Sequence, residues 1–585
     1  MPRLSSRLHF VLALVFVLAA MIFGLGLFEA SLRMWPNRFW LAGLLGTLFS
    51  LLIFWGSWWT MAPCFFDPGK FFGRLAWSLI VLTVVLRILY MGLVNLIPEE
   101  AYYWKYAQNL DYGYLDHPPL VALSIYVGEL AAGTSEFGVR ILAMFWWSAA
   151  AFFIYKLTEL IYGSKAAVAS ILLWSLLPFY FAVGFFMSPD APLVTFWAAG
   201  TYFLFRILVL GEVRFWWVAG LCLGLGFLGK YSIALLGFSA VVFMIIDPAA
   251  RRQFLSPSPY LAGLLALLCA SPVLYWNWQH DWASLAFQSV GRLNAESEFS
   301  LPSLLAFLLL TLMPAGVIIF GFAFKRWSLA LCGCGDKAAG SPCMQLSPSI
   351  HSFIAVFTLT PLFVFVFFSL SKEVKINWLG PVFIPLLPLL SASLVEAFEG
   401  HSIFYKRMWR TWLATFLLVF FGFGLFFLYI GVRIPGIPYT YKMHKFMGGR
   451  ELARKVLELE NPTLGRNSQP RVVVGTDKHY LASQLGFYRA ALAKGAPPPP
   501  TQGRHLLARS SLMHSFWGKP VDFRGRDMVL VSRNPGDLGD DRLLAFFRKV
   551  GPLERLTTER NGYKTFELFY RIGEGYRPRM DQADG

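Results

Sequence analysis

Long runs of apolar residues constrain this chain more than any other feature of its sequence. The runs from Phe10 to Phe28, Phe39 to Trp59 and Trp412 to Val432 each exceed the ~18 residues that a helix needs to cross a hydrocarbon core. Hydrocarbon offers no hydrogen-bond partner to backbone N–H and C=O groups, so these runs must be helical. Apolar residues make up 56% of the 585-residue chain and charged residues only 15%, which excludes a soluble fold.

The apolar runs and the basic loops between them predict a polytopic α-helical membrane protein with about thirteen transmembrane helices. Because Lys and Arg accumulate on cytoplasmic loops, the N-terminus is placed inside. Residues 1–433 then form the transmembrane domain, and its loop 97–137, with interfacial helices, lies outside. An odd number of spans also places residues 434–585 outside, where their composition indicates a small soluble α/β domain.

Local patterns predict the elements of that outer domain. Short β-branched runs favour strands, and longer periodic stretches favour helices. The predicted strands are residues 471–475 and 528–532, and the predicted helices are residues 480–493 and an amphipathic stretch near 543–550.

The net charge of +17 does not indicate a nucleic-acid partner, because the basic residues are scattered and form no RNA- or DNA-binding module. Attraction to anionic membrane lipid accounts for the charge better. Cys332, Cys334 and Cys343 share a glycine-rich loop, but their spacing matches no common zinc pattern.

Four polar turns fall on the predicted outer face, and a fifth polar break separates two short spans at Lys230. In isolation each is typical of a helix end or of an interfacial anchor. Together they form a convergent polar set in an apolar setting, which is the usual pattern of an active site. No GxSxG or HExxH motif lies near them, so the chemistry should use a carboxylate base and cations. The turns carry Glu99 to Pro119, Met187 to Pro192, Asn277 to Trp282 and Lys372 to Trp378.

Six motifs resemble those of bacterial GT-C glycosyltransferases related to protein O-mannosyltransferases and to the aminoarabinose transferase of lipid A. The resemblance covers most of residues 75–400 and extends into the outer domain. The motifs are Pro98-Glu-Glu-Ala-Tyr-Tyr-Trp104, Gly113-Tyr-Leu-Asp-His-Pro-Pro119, Ser188-Pro-Asp-Ala-Pro192, Gly229-Lys-Tyr231, Trp276-Asn-Trp-Gln-His280 and Lys375-Ile-Asn-Trp378.

The resemblance implies a multi-pass enzyme of the bacterial inner membrane whose site and soluble domain face the periplasm. Such an enzyme moves a sugar, with inversion, from a polyprenyl phosphate to a glycolipid, a glycan or a protein. Glu99 or Glu100 would be the base that accepts a proton from the acceptor hydroxyl. Glu99 stands where the family usually carries Asp, so both glutamates remain candidates.

The resemblance also implies roles for the other polar residues. His117 is the first candidate for binding the donor phosphate, followed by the cations Lys230, Arg140 and Lys375. A divalent metal held by Asp116 and His280 is an alternative to a cofactor-free site. The remaining predicted substrate contacts are Tyr102, Tyr103, Asp190, Asn377 and Trp378, which Asp116 and His280 would join if they hold no metal.

Two other functions remain open from the sequence. A transporter or flippase of lipid-linked sugars would also contain broken spans and an intramembrane Lys. A noncatalytic membrane scaffold would use the outer domain only to bind partners.

Overall fold

The computed structural model describes most of the chain. Cys332, Cys334 and Cys343 lie outside the described residues. The described ranges are 6–34, 39–61, 68–294, 296–331, 347–400, 403–432, 448–460, 469–493, 500–539, 543–560 and 563–579.

Helices dominate the described part of the chain. In chain order the first are α1 Ser6–Met34, α2 Phe39–Met61, α3 Pro68–Met91, α4 Pro98–Ala107, α5 Leu120–Ala132, α6 Glu136–Tyr162, α7 Ser164–Leu176, α8 Pro178–Val183, α9 Asp190–Leu208, α10 Trp216–Gly229, α11 Ala234–Ile246 and α12 Pro248–Arg251. They continue with α13 Ser258–Gln279, α14 Ala283–Gln288, α15 Val290–Leu293, α16 Leu301–Leu331, α17 Pro348–Ser369, α18 Leu379–Val382, α19 Leu387–Glu399, α20 Ile403–Gly431, α21 Gly449–Glu460, α22 Tyr480–Leu492 and α23 His514–Trp517.

Within the described ranges, seven helices are long and apolar enough to cross a membrane. Two bent pairs raise the number to nine if each pair is one span: Tyr231–Ile246 with Pro248–Leu255, bent by 103°, and Ile376–Val382 with Ile384–Glu399, bent by 43°. The chain is therefore a multi-pass membrane protein, and the count of about thirteen spans stays a prediction. The seven are Phe72–Met91, Glu136–Tyr162, Asp190–Leu208, Ser258–Gln279, Leu301–Lys325, Pro348–Ser369 and Ile403–Gly431.

The chain divides into two compact units, each of which is built from three separate segments of the sequence. Unit 1 comprises Met1–Leu89, His117–Val121 and Ala143–Phe426. Unit 2 comprises Tyr90–Asp116, Ala122–Leu142 and Phe427–Gly585. The segment 90–116, which contains α4, thus belongs to the same unit as the C-terminal part of the chain.

Unit 2 contains a five-stranded mixed sheet whose core is apolar. The first two strands are parallel, and the other pairings are antiparallel. The order is β1, β2, β5, β3, with β4 also paired to β5. This confirms a small C-terminal α/β domain. The strands are β1 Val472–Gly475, β2 Met528–Ser532, β3 Phe547–Val550, β4 Glu554–Arg560 and β5 Tyr563–Tyr576.

The predicted amphipathic helix near residues 543–550 is wrong. Phe547–Val550 forms strand β3, in which Phe547 pairs with Tyr576 and Lys549 pairs with Glu574. The Phe547 side chain enters the core, while the two basic residues after it are exposed. Pairing with a distant strand decided the conformation, and a local pattern carries no information about that partner.

Within unit 2, helix α4 packs against helix α22, which follows β1. The backbone N–H of Leu96, just before α4, donates to the Tyr488 hydroxyl at 2.8 Å. Farther along, the rings of Trp104 and Phe487 meet edge to face with centroids 5.3 Å apart. The aromatic residues of α4 therefore pack inside unit 2, whereas their pattern alone is equally typical of an interfacial anchor.

Candidate active site

Two predicted site residues of unit 2, Glu100 and Arg140, form a buried ion pair. Nε and Nη2 of Arg140 donate to the two carboxylate oxygens at 2.8 and 2.5 Å, and the side chains are 0% and 1% exposed. The other guanidinium hydrogens go to the carbonyls of Met91, Val94 and Asn95. A guanidinium has five N–H groups, so Arg140 has none left for a phosphate oxygen.

Glu100 also organises the beginning of α4. Its Oε2 accepts the backbone N–H of Ile97 at 3.1 Å, and Pro98 occupies the first helical turn. The neighbouring Glu99 is partly exposed and forms no hydrogen bond or ion pair with any residue that the structure describes. Of the two adjacent glutamates, Glu99 is the one whose carboxylate is available to a substrate.

Asp116 is held by the tyrosines of α4. Its Oδ1 accepts hydrogen bonds from the hydroxyls of Tyr102, at 3.1 Å, and of Tyr106. The Tyr102 hydroxyl in turn accepts the backbone N–H of Met513 at 3.1 Å. Tyr103 packs its ring 5.9 Å from that of Tyr102 and is almost fully buried. This network joins α4, the loop after it and the C-terminal domain within unit 2.

Burial dominates the electrostatics of this network. It raises the pKa of the Asp116 carboxyl, although the hydrogen bonds from Tyr106 and Tyr102 oppose the shift. Burial and the charge of Asp116 also raise the pKa values of Tyr102 and Tyr106 well above their usual range. Both phenols therefore stay protonated and remain hydrogen-bond donors.

In unit 1, Asp190 joins two residues that lie far apart in the sequence. Its Oδ1 accepts a hydrogen bond from Lys230 Nζ at 2.8 Å, and its Oδ2 accepts one from Asn377 Nδ2 at 2.9 Å. Asp190 begins α9, whereas Lys230 ends α10 in an extended conformation. The structure thus brings together three predicted site residues at three helix ends.

The charges of three basic residues in the same unit act on His117. Burial and the charges of Lys230, Arg292 and Lys375 lower the pKa of His117 well below its usual range. The imidazole is therefore neutral at neutral pH, and the positive charge resides on the three longer side chains. This region, the His117 cation group of Lys230, Arg292 and Lys375, is suited to an anion.

Arg292 is a candidate site residue that the sequence motifs did not include. It lies in the short helix α15, and its guanidinium carbon is 5.2 Å from the centroid of the Trp378 ring. The Trp378 ring also packs on Phe365, with centroids 5.4 Å apart. Arg292 lies in a loop predicted to be outside, although Lys and Arg usually accumulate on cytoplasmic loops. This exception is the sequence signal that could have identified it.

His280 ends α13 and makes local contacts there. Its ring stacks on Trp276 with centroids 4.1 Å apart, and its Nδ1 donates to the Trp276 carbonyl at 2.8 Å. Asn277 accepts the backbone N–H of Leu285 at 3.0 Å, which fixes the turn that follows. These contacts fix the orientation of the His280 ring at the end of its helix.

The alternative of a metal held by Asp116 and His280 lacks a ligand set. No group of three or more His, Cys, Asp or Glu side chains with suitable geometry occurs among the described residues. Asp116 also receives two phenol hydrogens on one oxygen.

Part of the chain is similar in sequence to known glycosyltransferases. The family of dolichyl-phosphate-mannose-protein mannosyltransferases matches residues 116–276. RgtD, a lipid A galacturonosyltransferase of Rhizobium johnstonii, is 30% identical over 31% of this chain and 38% of its own length. RgtA, a lipopolysaccharide core galacturonosyltransferase of the same species, is 26% identical over 34% of this chain and 38% of its own length. The match thus spans under two fifths of the length of each of these curated relatives.

The structure of ArnT from Cupriavidus metallidurans bound to undecaprenyl phosphate covers 84% of this chain and 97% of its own, with a TM-score of 0.54 and 14% identity. The chain has the GT-C fold. This confirms the predicted fold class and the predicted resemblance. The match to the mannosyltransferase family covers Asp116, His117, Asp190 and Lys230.

Proposed function

We propose that this chain is a membrane glycosyltransferase that moves a sugar from a polyprenyl-phosphate donor to a glycolipid at the periplasmic face of a bacterial inner membrane. The observation that carries the proposal is the His117 cation group, in which the charges of Lys230, Arg292 and Lys375 all act on His117 while Lys230 is also paired with Asp190. Such a group suits the phosphate of a lipid-linked sugar. The names of the relatives favour galacturonic acid as the sugar and lipid A or the lipopolysaccharide core as the acceptor.

In this proposal the cations of unit 1 bind the donor phosphate and stabilise it as it leaves. Lys230, Arg292 and Lys375 offset the charge that develops on the phosphate when its bond to the anomeric carbon breaks. Asp190 and Asn377 hold the Lys230 ammonium in place before the donor arrives. His117, neutral in the absence of an anion, donates one hydrogen bond to the phosphate.

Glu99 is proposed as the base. The acceptor oxygen attacks the anomeric carbon from the face opposite the phosphate, and its proton moves to the Glu99 carboxylate. A new glycosidic bond forms as the bond to phosphate breaks, so the configuration inverts and polyprenyl phosphate is released. Glu100 is unsuited to this step, because Arg140 and the Ile97 amide occupy its oxygens.

The remaining predicted residues receive structural or contact roles. Asp116 is positioned by Tyr102 and Tyr106, and Tyr103 packs beside them. Trp378 offers an aromatic face to a sugar, while His280 shapes the turn after α13. The division into a transmembrane domain of residues 1–433 and a soluble domain of residues 434–585 also remains part of the proposal.

The proposal is tested with the purified full chain in lipid vesicles. The vesicles contain polyprenyl-phosphate galacturonic acid, labelled in the sugar, together with lipid A. We expect labelled lipid A and one equivalent of free polyprenyl phosphate per sugar transferred. Label that changes leaflet without reaching lipid A would instead support a flippase, and label that does neither would support a noncatalytic scaffold.

A further inference from the structure

The turn between β1 and α22, residues 476–480, is fixed at both ends within unit 2. The backbone N–H and the hydroxyl of Thr476 donate to a carbonyl of β2 at 3.0 and 3.2 Å. The Asp477 carboxylate accepts a backbone N–H of α22 at 3.1 Å. The Lys478 carbonyl accepts the Ser511 hydroxyl at 2.9 Å. With its backbone held in this way, the turn presents its side chains from a rigid support.

This turn lies against α4 near its N-terminus. The His479 ring is 4.6 Å from that of Tyr102, which follows Glu99 by three residues on α4. Because residues three apart share a face of a helix, the turn meets the face of α4 that carries Glu99. The Tyr480 ring is next in line, 4.2 Å from that of His479.

Two side chains of the turn remain accessible. Lys478 is exposed and Tyr480 is partly exposed, as is Glu99. Burial and then the charges of Glu99 and Asp477 raise the pKa of Tyr480, so its phenol stays protonated beside the proposed base. Lys478 contributes a positive charge that is felt by Asp116. A hydrogen-bond donor and a cation thus lie on the same side of unit 2 as Glu99.

The composition of the outer domain is consistent with an anionic partner. Residues 434–585 contain 25 Lys and Arg but only 15 Asp and Glu, a net charge of +10. Such a domain attracts phosphorylated or otherwise anionic headgroups at a membrane surface. This charge lies on residues 434–585 and is separate from the cations proposed to bind the donor phosphate.

We infer that Lys478 and Tyr480 form an acceptor subsite, which binds the anionic headgroup of a glycolipid next to Glu99. The inference rests on the proposed function and deepens it by assigning the acceptor to the C-terminal domain. The Lys478 ammonium binds a phosphate of the headgroup, and the Tyr480 hydroxyl hydrogen-bonds a sugar hydroxyl near the one that reacts. Both residues bind or orient the acceptor without forming or breaking a covalent bond.

The test compares Lys478→Ala and Tyr480→Phe with the wild type, using bisphosphorylated lipid A as the probe. We expect each variant to raise the KM for lipid A about tenfold, with kcat and the donor KM within about threefold of the wild type. Dephosphorylated lipid A should reduce the effect of Lys478→Ala but not that of Tyr480→Phe. Lys549→Ala, which removes an exposed charge from β3, and Tyr570→Phe, which removes a phenol from β5, are the matched controls.

A binding measurement separates this inference from the proposed function. Binding of bisphosphorylated lipid A to the full chain in nanodiscs needs no donor and no turnover. Weaker binding by Lys478→Ala and Tyr480→Phe than by the controls supports the subsite even if no sugar is transferred. Equal binding by variants and controls, equal KM values, or a change in donor KM alone overturns it. The inference is also overturned if a protein acceptor, and not lipid A, binds through Lys478 and Tyr480.

Discussion

Arg140 donates to both carboxylate oxygens of Glu100, at 2.8 and 2.5 Å, inside unit 2. This relationship separates two glutamates that are adjacent in the sequence. Glu100 is fully buried and committed to Arg140, whereas Glu99 is partly exposed and has no such partner among the described residues. Glu100 holds the beginning of α4 in place, and Glu99 is the proposed base.

Breaking this ion pair should destabilise the protein rather than change its chemistry alone. Glu100→Gln or Arg140→Gln leaves one buried charge without its partner, which costs about 3–5 kcal/mol of unfolding free energy. Unfolding in mixed micelles, followed by loss of tryptophan fluorescence, measures the change. Glu99→Gln is the matched control and should alter stability by under about 0.5 kcal/mol. Equal stability of all three variants would contradict the structural role of the pair.

Removing a cation near His117 should impair use of the donor. We expect Lys230→Gln or Arg292→Gln to lower kcat/KM by about 10²–10³, because each loses a contact to the charge that develops on the phosphate. Steady-state transfer at varied donor concentration measures it. Lys165→Gln is the control, since its ion pair with Glu399 is on the surface and both side chains are largely exposed. A loss in the control as large as in the variants would count against the assignment.

The stability of unit 2 should fall in mild acid. Burial lowers the pKa of His505 to about 4, and burial with the charges of Lys105, His505 and His479 lowers that of His514 well below its usual range. Unfolding restores values near 6.5, so below that pH the unfolded chain binds more protons and stability drops as pH falls. Each histidine steepens the dependence by about 1.4 kcal/mol per pH unit between its two pKa values.

His514→Gln tests this pH dependence. The substitution removes one titrating group while retaining a polar side chain that can contact Ser483, the neighbour 3.1 Å from His514 Nε2. Unfolding of the full chain is followed between pH 7.5 and 5 by proteolysis of the C-terminal domain. The variant should show a shallower loss of stability than the wild type. An unchanged slope would show that folding does not lower the pKa of His514.

Local patterns predicted those elements whose conformation depends on their own residues. The strands around Val473 and Leu530, and the helix beginning at Tyr480, lie where their residue types placed them. The stretch ending at Val550 was misjudged because it pairs with β5, more than twenty residues later. Strands β4 and β5 were not predicted, because apolar and polar residues alternate only weakly along them. Their extended conformation depends on their pairing with each other.

The site residues also divide into those that the sequence predicted and those that depend on distant partners. Motifs predicted Asp190, Lys230 and Asn377 as site residues, and the structure joins their side chains. Arg292 has no motif, and it is associated with them by its place beside Trp378 and by its charge, which acts on His117. The roles of Glu99 and Glu100 stayed open in the sequence because the difference depends on a partner forty residues away.

The kcat of Glu99→Gln is the measurement that tests the account most directly. Wild-type and variant protein are reconstituted with a labelled polyprenyl-phosphate sugar and lipid A, and the steady-state rate of transfer is measured at saturating concentrations of both. Loss of the base should lower the rate by about 10²–10⁴ while donor binding and stability stay unchanged. Transfer by Glu99→Gln at the wild-type rate would contradict the assignment of Glu99 as the base.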